Sequence, residues 1–112
     1  MHDTVGDFTM PTSGEIAALA DRLRLLAEPC RLTICAALLQ GESNPSCLAE
    51  LAGVAQPALS QQLSRLRLAG VVKTRRAAQK IFYELSDPAV IALVRYLLST
   101  TSATEQVADV TA

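Results

Sequence analysis

The chain has 112 residues, half of them hydrophobic and only 4% aromatic, which fits one domain with a small aliphatic core. No apolar run approaches the roughly 18–20 residues that a membrane-spanning helix needs. The first fifteen residues carry acids rather than the basic-then-apolar pattern of a secretion signal, so we expect a cytoplasmic protein. The formal net charge of −1 argues against a nucleic-acid partner only if the charges are evenly spread.

Three segments are predicted along the chain. Residues 1–13 are polar and aperiodic and predict a flexible N-terminal arm. A folded domain is expected over 14–98, and a polar C-terminal tail that frays is expected over 99–112. Within the domain, apolar residues recur every three or four positions from Ser13 to Ala27, which predicts the first helix.

Proline and glycine divide the middle of the chain into short helices. The second helix is expected from Pro29 to Gly41 and the third over roughly Ser46–Ala52. A fourth helix starts at Pro57 and ends at Gly70. The third and fourth helices, joined by a four-residue turn, are typical of a helix-turn-helix unit.

The spacing of apolar residues changes after the fourth helix. The segments Val71–Arg76 and Lys80–Leu85 are rich in β-branched and aromatic residues and predict a β-hairpin, although its turn lacks a glycine. A last helix is expected over Ala89–Leu98. The predicted fold is mainly α with a β-hairpin, a winged helix-turn-helix of the order α-α-α-α-β-β-α that forms a homodimer.

The charges are unevenly distributed. From Leu51 to Tyr83 the chain has six basic residues and no acid, and this window coincides with the fourth helix and the hairpin. Amide and hydroxyl groups on such a helix can bond base edges in the major groove, while arginine and lysine neutralise phosphates. The residues expected to contact DNA are Gln56, Pro57, Ser60, Gln61, Gln62, Ser64, Arg65, Arg67, Arg75, Arg76, Gln79 and Lys80.

The basic window between Leu51 and Tyr83 has other interpretations. A charge run is more often a solvated face than a binding site, but here it coincides with two elements that would meet DNA together. A protein-binding winged helix is the main rival, and it would carry exposed apolar or acidic residues on the fourth helix. An enzyme is disfavoured because no catalytic motif is present and the carboxylates are scattered.

The chain resembles the ArsR/SmtB family of winged-helix repressors over residues 16–98. The stretches that carry the resemblance are LRLLAEPCRLTIC, SCLAELAGVAQPALSQQLSRLRLAGVV and TRRAAQKIFYELSDP. The sequence of these stretches is most similar to the branch with reactive-sulfur and biofilm-type regulators. The resemblance implies a repressor that binds an imperfect inverted-repeat operator until an effector releases it. It also implies a dimer joined through the first and last helices, which we expect independently because both helices are more apolar than a small core can cover.

Three cysteines, Cys30, Cys35 and Cys47, are candidate sensors. Thiolates select soft ions such as As(III), and a position in the first turn of a helix favours the thiolate. Cys30 and Cys35 differ by about 140° of helical rotation, so they do not share a face of the helix. A three-coordinate metal site within one protomer would therefore need a bent helix or a ligand from the partner chain. Cys35 lies in an apolar stripe, where packing as a core residue is the stronger expectation.

Sites that the resemblance implies are incomplete in this chain. Asp87 matches a metal site on the last helix, but no histidine follows it, and the single histidine is His2. Cys47 matches the first cysteine of an ELCVCD-type motif, whose second cysteine is replaced by Ala49. For the reactive-sulfur pair, Cys35 falls one residue early and Ser102 stands near the second position. The hypothesis is a repressor that senses a soft metal(loid) through thiols. A redox- or persulfide-responsive repressor and an effector-independent regulator are the alternatives.

Overall fold

The computed structural model describes residues 8–111, with side chains for residues 8–101. Five helices and one two-stranded antiparallel sheet follow each other along this part of the chain. The elements are α1 (Ser13–Leu26), α2 (Pro29–Leu38), α3 (Pro45–Ala52), α4 (Gln56–Leu68), β1 (Val72–Ala77), β2 (Lys80–Leu85) and α5 (Pro88–Thr111). The predicted fold class, mainly helical with a β-hairpin in the winged helix-turn-helix order, is confirmed.

Side-chain caps fix where the first two helices begin. Thr12 and Glu15 form a reciprocal capping box at the start of α1, which satisfies two otherwise unpaired backbone N–H groups. Glu28 is extended, with φ −150° and ψ 129°, because a residue before proline avoids the helical region. The chain therefore breaks at Glu28, and α2 starts anew with Pro29 in its first turn.

The turn between α3 and α4 is set by a cap at each end of α3. Asn44 Oδ1 accepts from the backbone N–H of Cys47 at 2.9 Å. Gly53 ends α3 in the left-handed region with φ 70°, a conformation that a glycine adopts without steric cost. Only Val54 and Ala55 then separate Gly53 from α4.

The hairpin pairs Val72 with Leu85 at its base and Ala77 with Lys80 at its tip. Ala78 occupies the turn with φ 58°, so the absent glycine leaves an alanine in the left-handed region. At the other end, backbone bonds in both directions join Ser43 to Tyr83, at 3.0 and 2.8 Å. The hairpin is thus attached to the loop between α2 and α3.

One apolar core lies between the helices and the base of the hairpin. Its most deeply buried members are aliphatic: Ile34, Leu48, Leu59, Leu63, Leu66, Val71, Val90 and Val94, together with Cys35. Each helix from α2 to α5 contributes to this list. The core therefore fixes which side of α4 faces outward.

The last helix is longer than predicted. It runs to Thr111, whereas the sequence pattern indicated an end at Leu98 and a fraying tail. Just beyond Leu98, Ser99 Oγ donates to the Tyr96 carbonyl at 2.6 Å and Thr100 Oγ1 to the Leu97 carbonyl at 2.7 Å. Among the described residues, no helix has both the length and the apolar character to cross a membrane. The proposed division into arm, domain and tail stays a prediction; His2 lies outside the described residues and Ser102 outside the described side chains.

Candidate nucleic-acid interface

The α3–turn–α4 unit is held together by polar contacts as well as by the core. The backbone N–H groups of Gly53 and Val54 both donate to the carbonyl of Ala49, at 2.9 and 3.1 Å. Gln56 Nε2, at the start of α4, donates to Ser46 Oγ at 2.9 Å. The first residue of α4 is therefore attached to the first turn of α3, and its side chain is exposed.

One side of α4 is buried and the other is exposed. Leu59, Leu63 and Leu66 are at most 1% exposed, and their spacing of four and three residues defines the inward face. The outward face carries polar and basic residues, all of them exposed: Pro57, Ser60, Gln61, Ser64, Arg65 and Arg67. These predicted site residues share one surface, which we call the α4 outer face.

Gln62 differs from the other predicted residues of α4. Its side chain lies on the flank between the two faces, is half-buried, and accepts at Oε1 from Nη1 of Arg31 at 2.6 Å. The sequence predicts that this amide contacts DNA beside Gln61. Instead its oxygen is engaged inside the protein by a residue that the sequence analysis did not select.

Some basic residues of the hairpin form ion pairs with acidic side chains and others do not. Arg76, Gln79 and Lys80 are exposed near the tip, and neither basic residue forms an ion pair within the described part of the chain. Arg75 instead makes a two-pronged ion pair with Glu42, with its Nε 2.9 Å from Oε2, and lies over the Phe82 ring at 5.0 Å from the centroid. Lys73 is 4.0 Å from Glu84.

Folding therefore brings two acids to a segment that has none in its own sequence. Glu42 comes from the α2–α3 loop, and the Arg75 guanidinium holds the pKa of that carboxyl below its usual value. Glu84 comes from β2, opposite Lys73 in the register. The basic side chains without an ion pair in the described part of the chain are therefore at the tip of the hairpin and along α4, rather than over the whole hairpin.

The three cysteines lie in different environments. Cys30 is half-buried, and burial followed by the nearby Glu28 carboxylate raises the pKa of its thiol. Its place in the first turn of α2 does not produce the lowered pKa that we expected. Cys35 is completely buried, and burial raises the pKa of its thiol to about 11. Cys47 is exposed in the first turn of α3.

These thiols do not form a soft-metal site within one protomer. No group of three or more histidine, cysteine, aspartate or glutamate residues in the described part of the chain could hold a metal ion. Cys35 belongs to the core, where a thiolate is disfavoured, whereas Cys47 faces solvent on a separate helix. The donor set of Cys30, Cys35 and Cys47 therefore does not fit a three-thiolate As(III) site in a single chain.

A second surface is apolar. Ile16, Leu19 and Leu23 of α1 are 45–55% exposed, and their spacing places them along one side of the helix. A groove of about 170 Å³ between α1 and the start of α5 is lined by Leu19, Leu23, Ala89 and Leu93, among others. Tyr96, Leu97 and Leu98 continue the exposed apolar surface along α5. We call this surface the α1–α5 face.

Comparison with known proteins identifies relatives that match most of the chain. Residues 28–74 match the family described as bacterial regulatory protein, arsR family. A biofilm growth-associated repressor of Agrobacterium fabrum is 38% identical over 103 residues, which cover 91% of this chain and 88% of that protein. The matched family segment spans α2, α3, α4 and the first part of β1.

Solved structures share the fold. The antimony-specific transcriptional repressor AntR superposes with a TM-score of 0.78 at 27% identity, covering 95% of this chain and 96% of that one. NolR from Sinorhizobium fredii superposes with a TM-score of 0.72 at 36% identity, covering 82% of this chain and 96% of that one. The agreement extends over nearly the whole length of both relatives.

Proposed function

The chain belongs to the arsR family of bacterial regulatory proteins, a family of transcriptional regulators rather than enzymes, and we propose that it is a homodimeric repressor whose DNA binding an effector reverses. The observation that carries the proposal is the α4 outer face together with the hairpin tip. Their polar and basic side chains are exposed, while Leu59, Leu63 and Leu66 of the same helix are buried and Leu68, its last residue, is 85% exposed. This arrangement supports DNA binding over protein binding, because hydrogen-bonding groups dominate the exposed side.

The proposed roles follow from chemistry and position. Gln61, Ser60 and Ser64, with Gln56 and Pro57 at the start of the helix, face outward and would lie against base edges in the major groove. The cations Arg65, Arg67, Arg76 and Lys80, with the amide of Gln79, would contact the phosphate backbone. Arg75 would hold the hairpin on Glu42 rather than serve as a full phosphate contact.

Dimerisation through the α1–α5 face is the second part of the proposal. Leucines that are about half exposed on both helices lose contact with water if a second copy covers them. A twofold axis there would place two copies of α4 about 34–36 Å apart, one turn of B-DNA. The expected operator is therefore an inverted repeat.

The test of DNA binding starts from a random-sequence duplex pool. Selection with the full chain should enrich an inverted repeat, and fluorescence anisotropy should then give its affinity. Gln61→Ala should weaken binding by roughly tenfold, since good base contacts contribute about 1–3 kcal/mol. Gln40→Ala, at an exposed glutamine outside α4, is the matched control and should bind like the wild type. No enrichment of any sequence would refute the proposal.

The test of the dimer uses a charge on the α1–α5 face. Leu19→Glu should convert the chain to monomers in sedimentation equilibrium, because a carboxylate loses its solvent when a second copy covers it. Leu51→Glu, at a leucine that is 64% exposed on α3, should leave the dimer intact. Equal molar masses for the two variants would contradict the proposed interface.

The finer hypothesis is release by a soft metal(loid) acting on thiols. The similarity to an antimony-specific repressor over 95% of this chain supports that class of effector. Within the described residues the accessible thiols are Cys47 and, in part, Cys30, so a metal(loid) would need a donor beyond one protomer. The exposed Cys47 also suits oxidation or persulfidation, which needs no cluster.

Serine variants separate these effectors. Cys47→Ser and Cys30→Ser should abolish DNA release by arsenite if metal(loid) binding is the signal, while Cys35→Ser leaves it in place. Loss of the response to persulfide alone, with arsenite inactive on the wild type, would favour the redox alternative. If no effector releases the wild-type chain, the regulator acts independently of thiols.

A further inference from the structure

Arg31 is the one charged residue among the buried side chains that the structure describes. It lies in the first turn of α2 and is 8% exposed, although arginine is rarely this buried without a partner. No buried polar side-chain atom among the described residues lacks a hydrogen-bond partner. The contacts of Arg31 therefore account for its burial, and they point to a role.

Its guanidinium joins two helices that do not follow each other in the chain. Nε donates to the carbonyl of Leu25 in the last turn of α1, where carbonyls have no partner within the helix. Nη1 donates to Oε1 of Gln62 on α4 at 2.6 Å. Because the guanidinium is planar and rigid, these two bonds fix α1 and α4 relative to each other.

Glu28 contacts both the backbone and the side chain of Arg31. Its backbone N–H donates to Glu28 Oε1 at 2.8 Å, and the same carboxylate oxygen is 3.9 Å from Nη1. That backbone bond is the main reason that the pKa of Glu28 is lowered. Pro29 fixes the chain between these two residues, so the arginine starts from a defined position.

The orientation of Gln62 limits its use in reading DNA. Bidentate pairing of a glutamine with adenine needs the amide oxygen as an acceptor. Here that oxygen accepts from a buried cation, and leaving it would strand a donor of Arg31 without a partner. Gln62 is thus better placed to bind Arg31 than to bind a base.

We propose that Arg31 is a positioning residue, with Gln62 as its acceptor, that sets where α4 lies relative to α1. The inference rests on the proposed function, because α1 carries the face expected to form the dimer and α4 the face expected to contact DNA. The bond then fixes the separation of the two copies of α4. The measurable consequence is discrimination between operators that differ in the spacing of their half-sites.

The experiment measures spacing discrimination with the full chain. The probes are the selected inverted-repeat duplex and the same duplex with one base pair inserted or removed at its centre. Gln62→Glu keeps an oxygen acceptor facing Arg31, whereas Gln62→Met removes it. Arg31→Lys keeps the charge but cannot bond Leu25 and Gln62 through one planar group.

Wild type and Gln62→Glu should prefer the original spacing to the same degree. Gln62→Met and Arg31→Lys should lose about tenfold of that preference, the scale of one hydrogen bond to a charged group. Gln61→Met, at an exposed neighbour on the same helix, is the control, since it should weaken binding to every probe without changing the ratio between probes.

Several results would overturn the inference. Thermal stability that falls in Gln62→Met and Arg31→Lys with an unchanged spacing ratio would make the contact structural only. If Gln62→Glu loses the preference for one particular base pair, measured on duplexes in which that base pair is substituted, Gln62 would be a base-reading side chain. If Arg31→Lys does not fold, the two Gln62 variants decide. Failure of the wild type to bind any duplex would refute the proposed function and this inference together.

Discussion

The salt dependence of DNA binding can be worked out from the pairing of the basic side chains. Four exposed basic residues per chain lie on the α4 outer face and hairpin tip without an ion pair in the described part of the chain, namely Arg65, Arg67, Arg76 and Lys80. A dimer therefore offers about eight phosphate contacts. With about 0.9 counterions released per contact, log K should fall with log[salt] at a slope of about −7. Affinity should drop by roughly 10⁴ between 50 and 200 mM salt.

Arg76→Ala is the perturbation that tests this count. It removes two contacts per dimer and should reduce the slope by about 2. The matched control is the double variant Arg75→Ala with Glu42→Ala. It removes the arginine next to Arg76 on β1 together with the glutamate that pairs with it. Because that pair carries no net charge, the slope should stay close to the wild-type value.

Fluorescence anisotropy on the selected duplex across a salt series gives both slopes. A slope that is unchanged by Arg76→Ala would show that Arg76 does not contact a phosphate. A fall of about 2 in the double variant would show that Arg75 leaves Glu42 for DNA. Either result would refute the division into free and paired cations.

Three further predictions concern stability and thiol chemistry. Ala78→Gly should stabilise the fold by about 0.5–1 kcal/mol in chemical denaturation, because Ala78 is in the left-handed region at φ 58°, whereas Ala77→Gly should destabilise it. Iodoacetamide followed by mass spectrometry should modify Cys47 first and Cys30 more slowly, and should spare Cys35 until the chain unfolds, since burial raises the pKa of that thiol to about 11; early labelling of Cys35 would contradict its place in the core. Because folding lowers the pKa of Glu28, its carboxylate stabilises the fold above the ordinary carboxyl pKa, and this stability is lost as the pH falls through the lowered pKa. Glu28→Gln should therefore lose less melting temperature on acidification than the wild type. Parallel curves of melting temperature against pH for the two proteins would count against the Glu28 cap.

Local signals made the elements predictable. Prolines at the starts of α2 and α4 and glycine after α3 act through their own backbone geometry, so their effect is visible in the sequence. The inward face of α4 followed from the spacing of Leu59, Leu63 and Leu66. The predicted end of α5 was wrong because the prediction followed the apolar stripe, which stops at Leu98, whereas the helix continues through polar serine and threonine residues to Thr111.

Pairings between distant residues could not be predicted. Arg31 and Gln62 are 31 positions apart, and Glu42 and Arg75 are 33 apart. A helical pattern places Gln62 on the flank of α4, but it does not say that a buried guanidinium lies opposite. The acid-free window likewise concealed Glu42, which reaches the hairpin only because the Ser43–Tyr83 bridge attaches the preceding loop to it. The sequence signal that could have drawn attention to Arg31 is that it is the only charged residue in the apolar segment Pro29–Leu38.

The central claim is that two copies of the chain bind one inverted repeat through α4. Native mass spectrometry of the complex with the selected duplex tests it most directly, with Leu19→Glu as the control. Two chains per duplex for the wild type, and no such complex for Leu19→Glu, are the predicted results. One chain per duplex, or no complex with any duplex at low salt, would contradict the claim.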